Sequence, residues 1–282
     1  MKKKILLAIA AVMALYSCEK QAMNEGEELE ETGKVRITFQ LKNDARTRAT
    51  ALAASDMTDL WLFDYVEGEC AKMIHLTPED NGWSAPSATF TIGTHDIYFV
   101  ASRGDDADVD ETEGTIIWTV PRDTFLGSLT LNVTGGTSPT QSVELSRATT
   151  RLKINVNDAV PEDIDRLIIT PDIWYFGLNY LTGEAVCEKK EARSVTVPAS
   201  YVGTTKKLIA SFYGFSGDDQ WQTDVEVKAV DASDNVLGQV TLTDAPFQRN
   251  VTTEYSGMLF GGQAAMDVEL GDVWGENDTH TW

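Results

Sequence analysis

The sequence predicts an all-β chain whose folded part is two β-sandwich domains in tandem. Three observations carry this expectation. Short apolar runs recur roughly every ten residues from Lys34 onward, the spacing of sandwich strands. Turn-forming residues separate them, among them Glu67-Gly68, Asn81-Gly82, Gly135-Gly136 and Leu181-Thr182-Gly183-Glu184. No stretch sustains the period of about 3.6 residues that marks an amphipathic helix. Strands without intervening helices fit sandwiches and not a parallel α/β sheet.

The chain opens with an export signal. Lys2, Lys3 and Lys4 precede a short apolar stretch from Ile5 to Leu15. That stretch is well below the roughly twenty residues needed to cross a bilayer, so residues 1–17 read as a cleavable signal peptide. It ends in Leu15-Tyr16-Ser17-Cys18, which resembles the lipobox of bacterial lipoproteins, although Tyr16 stands where a small residue is usual. The resemblance implies that Cys18 is diacylated, becomes the new N-terminus and is acylated again. Several fatty chains anchor a protein stably where one does not. Residues 18–33 carry Glu19, Glu25, Glu27, Glu28, Glu30 and Glu31 and almost nothing apolar, so they read as a self-repelling tether.

The first strand follows. Val35, Ile37, Phe39 and Leu41 alternate with polar residues over 34–41, the period of a half-buried strand. The next stretch, Asn43 to Arg48, reads as an exposed loop carrying Arg46 and Arg48. Further strands are expected at 58–65, 70–76, 87–92, 96–102, 115–120, 128–133 and 140–145, with an acidic loop from Gly104 to Gly114. A second block opens at Arg147, where Ala148, Thr150, Leu152, Ile154 and Val156 share one face. Strands then follow at 164–170, 173–177, 193–197, 206–214, 223–230, 236–243, 251–260 and 265–270. The domains are therefore placed at 34–146 and 147–282.

Composition excludes some partners. Loss of the signal leaves 20 basic against 44 acidic residues, a formal charge of −24. Nucleic acid and anionic lipid would repel such a chain, so the lipid on Cys18 is its expected hold on the membrane. Cys70 and Cys187 are distant in sequence and read as free thiols, with a disulfide as the alternative.

No catalytic motif stands out, and no metal or other cofactor is expected. His75, His95 and His280 have no metal-ligand spacing, and His95 reads as a strand-end or turn residue. Asp106, Asp108 and Asp110 echo a calcium loop, but Glu111 occupies the glycine position and Ile117 that of the bidentate glutamate, which favours a solvated acidic loop. Trp61, Trp118 and Trp174 lie in apolar runs and read as core. Trp83, Trp221 and Trp282 have polar neighbours and are candidates for exposure, which raises a glycan-binding alternative.

Taken together, the lipobox, the strand Lys34–Leu41, the run Leu60-Trp61-Leu62-Phe63-Asp64, the opening Leu145-Ser146-Arg147-Ala148-Thr149-Thr150-Arg151-Leu152-Lys153-Ile154 and the late Arg249-Asn250-Val251-Thr252 resemble the fimbrillin-associated anchor subunits of Bacteroidales type V fimbriae. The resemblance implies two transthyretin-like β-sandwiches and assembly with other fimbrial subunits by strand exchange at the outer membrane. It implies that stalk subunits lose their first strand by cleavage after an arginine, whereas anchors keep it and their groove stays filled. Val35, Ile37, Phe39 and Leu41 would fill that groove. Met266, Val268 and Leu270 alternate on one face and would form a donor strand, or else simply complete the second domain. Cleavage at Arg46 or Arg48 would instead make the chain a stalk or tip subunit.

Overall fold

A computed structural model describes residues 33–43, 57–104, 106–261 and 264–271. They are all-β, as expected, with one short 3-10 turn at Ala199–Tyr201. The first half supplies β1 (Lys34–Asn43), β2 (Asp59–Val66), β3 (Glu69–Leu76), β4 (Ser87–Thr91), β5 (Gly93–Ser102), β6 (Ala107–Asp110), β7 (Thr115–Trp118), β8 (Thr124–Val133) and β9 (Thr140–Arg147). The second supplies β10 (Thr149–Val156), β11 (Ile164–Pro171), β12 (Trp174–Asn179), β13 (Ala185–Lys189), β14 (Arg193–Thr196), β15 (Leu208–Phe215), β16 (Trp221–Asp231), β17 (Val236–Phe247), β18 (Thr252–Met258) and β19 (Ala265–Gly271).

In the first half, seven strands form one hydrogen-bonded series, β3-β2-β5-β8-β9-β1-β4. It bends between β8 and β9, where only Phe125–Arg147 and Leu126–Ser146 are paired. The two arms enclose a core that includes Ile37, Phe39, Leu60, Leu62, Phe90 and Phe99. In the second half the sheets β15-β10-β18-β19 and β14-β11-β16-β17 enclose Leu152, Ile154, Leu167, Val227 and Tyr255, among others.

A third sheet, β13-β12-β7-β6, joins the halves. Strand β7 pairs antiparallel with β12, so Ile117 lies opposite Gly177 and Ile116 opposite Leu178. The pairing crosses the expected division at residue 146. Glycine is required here, because a Cβ on residue 177 would come within 2.7 Å of the Ile116 carbonyl oxygen. A third apolar cluster lies behind this sheet and draws on both halves: Trp61, Phe63, Val100, Trp118, Leu178, Tyr180 and Phe215 are among its members. Strand β2 explains itself in this light. Its Leu60 and Leu62 face the first core while Trp61, Phe63 and Tyr65 face the junction, so it is buried on both sides.

Between β9 and β10 stands a single residue, Ala148, which is fully buried. Beside it, Arg147 makes a two-pronged ion pair with Asp123, Nε to Oδ1 at 2.7 Å and a terminal nitrogen to Oδ2 at 3.1 Å. Its other terminal nitrogen donates to Asn250 Oδ1 at 3.0 Å. Both charges are buried and the guanidinium lies over the Phe125 ring, so paired hydrogen bonds offset the cost of desolvation.

Two strands depart from the sequence expectation. Strand β6 occupies the segment read as an acidic loop, with Asp108 and Asp110 alternating with Ala107 and Val109. Strand β13 has no apolar alternation to reveal it, and Cys187 within it adopts a left-handed backbone, φ 58°. Both lie in the junction sheet, where pairing to a neighbour decides structure more than local pattern does.

Candidate assembly site: the first and last strands

Strand β1 is inserted between two neighbours that it engages in turn. Lys34 to Thr38 pair antiparallel with β4, and Thr38 to Asn43 pair parallel with β9. Ile37 and Phe39 are fully buried, Leu41 is buried, and Val35 packs partly against the same core. The Phe39 ring meets Phe90 edge-on at 5.8 Å and Phe99 at 5.0 Å, tying β1 to both layers. The alternation read in the sequence is thus the inner row of a strand embedded in a sandwich. Its outer face is basic. Lys34, Arg36 and Lys42 are exposed, Arg36 donates to Ser87 Oγ at 2.9 Å, and Lys42 lies beside Glu144 in the ladder.

Strand β19 contrasts with it. It pairs antiparallel with β18 at the edge of its sheet. Three rows of side chains cross that sheet on its inner face. They run Phe212–Leu152–Thr253–Leu270, Ala210–Ile154–Tyr255–Val268 and Leu208–Val156–Gly257–Met266. Every residue in the first three columns but Gly257 is buried. In the last column Leu270 is 54% exposed and Val268 49%, and only Met266 packs in part against the core. The apolar rows therefore run out from under the facing sheet. On the outer face Glu269 stands directly opposite Glu254, and Asp267 opposite Ser256. Like charges opposed across a ladder destabilise it. Close packing holds the hairpin nonetheless, since a Cβ on Gly257 would collide with the Ala265 carbonyl oxygen.

The other residues singled out in the sequence are dispersed. Cys18, Arg46, Arg48, Trp282 and His280 lie outside the described residues. Cys70 and Cys187 are both half-buried thiols, neither of them in a disulfide. Trp83 is buried in the first core, contrary to the exposure its polar neighbours indicated. Backbone hydrogen bonds from Trp83 to Asp80 and from Ala85 to Gly82 curl the segment and turn the indole inward. Trp221 is half-buried, its ring 5.9 Å from that of Trp174 and 4.9 Å from that of Phe247, with Nε1 donating to Ser216 Oγ at 3.1 Å. Trp61, Trp118 and Trp174 are core, as their surroundings indicated.

His95 is the third residue of β5, near the strand end and not in a turn, and it is buried. Nδ1 lies 2.7 Å from Asp64 Oδ1, and Nε2 donates to the Thr91 carbonyl at 3.0 Å. Burial raises the Asp64 carboxyl above its usual range, and the histidine opposes that rise. His75 stacks on Trp61 at 4.7 Å and meets Asp59 Oδ1 at 2.6 Å. Asp110 Oδ1 accepts from the backbone N–H groups of Thr112 and Glu113, shaping the β6–β7 turn.

The architecture defines a class, that of tandem β-sandwich chains. A candidate adhesin of Bacteroides thetaiotaomicron VPI-5482 is similar over 85% of this chain and 96% of its own, with 12% identity and a TM-score of 0.54. A candidate polysaccharide-binding protein of the same organism matches over 86% and 99%, with 12% identity and a TM-score of 0.54. The fimbrial anchor protein Mfa2 of Porphyromonas gingivalis matches over 85% and 98%, with 8% identity and a TM-score of 0.50. At such identities the likeness establishes the fold. No curated protein matches in sequence. The chain belongs to a family of unknown function, DUF6562, whose model matches residues 108–281, more than half of it. That match begins inside β6, so it takes in the β7 strand that pairs with β12.

Proposed function

We propose that this chain is an outer-membrane lipoprotein, acylated on Cys18, that anchors a fimbrium and joins neighbouring subunits by β-strand exchange. The observation that carries the reading is the contrast between the two terminal strands. Strand β1 fills its own sandwich with Ile37, Phe39 and Leu41, while β19 carries Val268 and Leu270 uncovered at a sheet edge. A chain built in this way offers its last strand and keeps its first. Edge strands with an alternating apolar face are templates for pairing with another chain. The shared architecture with a fimbrial anchor protein and a candidate adhesin supports this reading. We divide the folded part at residue 146, with β6 and β7 coupling the two sandwiches, and assign it no catalysis.

The test is the mass of the N-terminus in protein taken from outer membranes. An acylated Cys18 is the expected result. A chain starting at Thr47 or Ala49 would show cleavage after Arg46 or Arg48 and make it a stalk or tip subunit. The second reading, surface glycan binding, draws on the similarity to a candidate polysaccharide-binding protein and on the half-buried Trp221. Titration of glycans against intrinsic tryptophan fluorescence tests it, and an unchanged signal removes it.

A further inference from the structure

The two terminal strands carry opposite charges on their outer faces. Strand β1 presents Lys34, Arg36 and Lys42, with Glu144 beside Lys42. Strand β19 presents Asp267 and Glu269, both exposed, with Glu254 already opposite Glu269. We propose that β19 is coded by charge to pair with a strand of a different protein, one whose residues alternate apolar with lysine or arginine, and that a second copy of this chain is rejected. The inference rests on the strand-exchange reading and specifies the partner.

Two arrangements show why a copy does not fit. In the slot held by β1, a copy's β19 would put Asp267 and Glu269 on the face where Lys34, Arg36 and Lys42 now stand. In the register that lays Met266 and Val268 over the places of Phe39 and Leu41, Glu269 comes beside Glu144. Edge to edge, two antiparallel β19 strands that keep their apolar residues on one face oppose acid to acid in the registers of greatest overlap, which pair Asp267 with Glu269 or either acid with its own copy. In these registers like charges lie directly across a ladder, which destabilises it and discriminates between partners. A basic strand reverses every one of these terms. Its apolar residues would flank Val268 and Leu270, and its cations would meet Asp267 and Glu269. The same alternation of cation and apolar residue occurs in Lys34-Val35-Arg36-Ile37.

The experiment uses the full acylated chain in detergent and two fluorescent nine-residue peptides. Both alternate valine and isoleucine with a charged residue, lysine in one and glutamate in the other. The lysine peptide is expected to bind roughly tenfold more tightly in fluorescence anisotropy, the effect of turning repulsive cross-strand pairs into attractive ones. The preference should invert in an Asp267→Lys, Glu269→Lys variant. Equal binding of the two peptides overturns the charge code while leaving strand pairing in place. Failure of both to bind overturns strand pairing at β19 as well. A lysine preference that persists in the variant reflects only the net charge of the chain and overturns the inference. A dimer of the unmixed protein in sedimentation at assay concentration also overturns it. So does a chain ending at Gly271 that gains affinity for both peptides alike, because the segment 272–282 would then be the occupant.

Discussion

The hydroxyls of Tyr65 and Tyr180 lie 2.8 Å apart, one from β2 and the other from the turn after β12, so a buried hydrogen bond joins the two halves of the chain. The Tyr180 ring stacks on Phe63 at 4.1 Å, and the Tyr65 hydroxyl donates to the Glu111 carbonyl. Burial pushes Tyr65 up to about 12, and Tyr180 is raised as well. A tyrosine whose folded value exceeds the unfolded one favours folding fully below about 10 and loses that contribution as pH climbs toward 12. Urea midpoints should therefore fall between pH 10 and 12. The fall should be shallower in Tyr65→Phe, which cannot ionise at that position.

The Asp123–Arg147 pair is buried, and removing one member strands the other. Asp123→Ala should cost about 3–5 kcal/mol, read from denaturant unfolding. Arg147 would then sit in the core without its carboxylate, still donating to Asn250 Oδ1. A loss below about 1 kcal/mol, the range of an exposed pair, would contradict the burial described.

Phe39 and Val268 occupy equivalent places in two alternating patterns and should respond oppositely. Phe39→Ala leaves a cavity between Phe90 and Phe99 and should destabilise by about 3–5 kcal/mol. Val268→Ala, at a half-exposed edge, should change stability by no more than about 0.5 kcal/mol. Thermal or urea melts of the two variants side by side make the comparison.

Gly257 gives access to β19 without altering its own side chains. A Cβ at that position collides with the Ala265 backbone, so Gly257→Ala should displace β19 from β18. Hydrogen exchange should then lose protection at 265–271 while β10 and β15 keep theirs. Retained protection at 265–271 would mean that the hairpin can shift to accept the methyl group.

Much of the fold was legible because most strands bury one face, and that writes a period of two into the sequence. Strand β1 and strand β10 are the clear cases, with Ile37, Phe39, Leu152 and Ile154 all inward. Pairing partners were not legible. The parallel run of β1 against β9 and the crossing of β7 to β12 depend on where distant chain segments meet, which local alternation does not encode. Nor does alternation say whether a face is covered. Met266, Val268 and Leu270 repeat like Ile37, Phe39 and Leu41, yet one row lies in a core and the other mostly in solvent. Trp83 failed in the opposite sense, because neighbours such as Asn81 and Ser84 report the polarity of a turn and not the direction of the indole.

The parallel pairing of β1 with β9, and the single residue between β9 and β10, have a mechanical meaning. Tension between the N-terminus and the second sandwich pulls β1 and β9 in opposite directions along their common axis, so their hydrogen bonds share the strain in shear. Ala148 leaves no slack to take up first. Tension on the C-terminus instead peels β19 from its antiparallel neighbour one rung at a time, like a zip. Under a common pull β19 comes free long before β1 slips, a difference that fits the proposed anchor role.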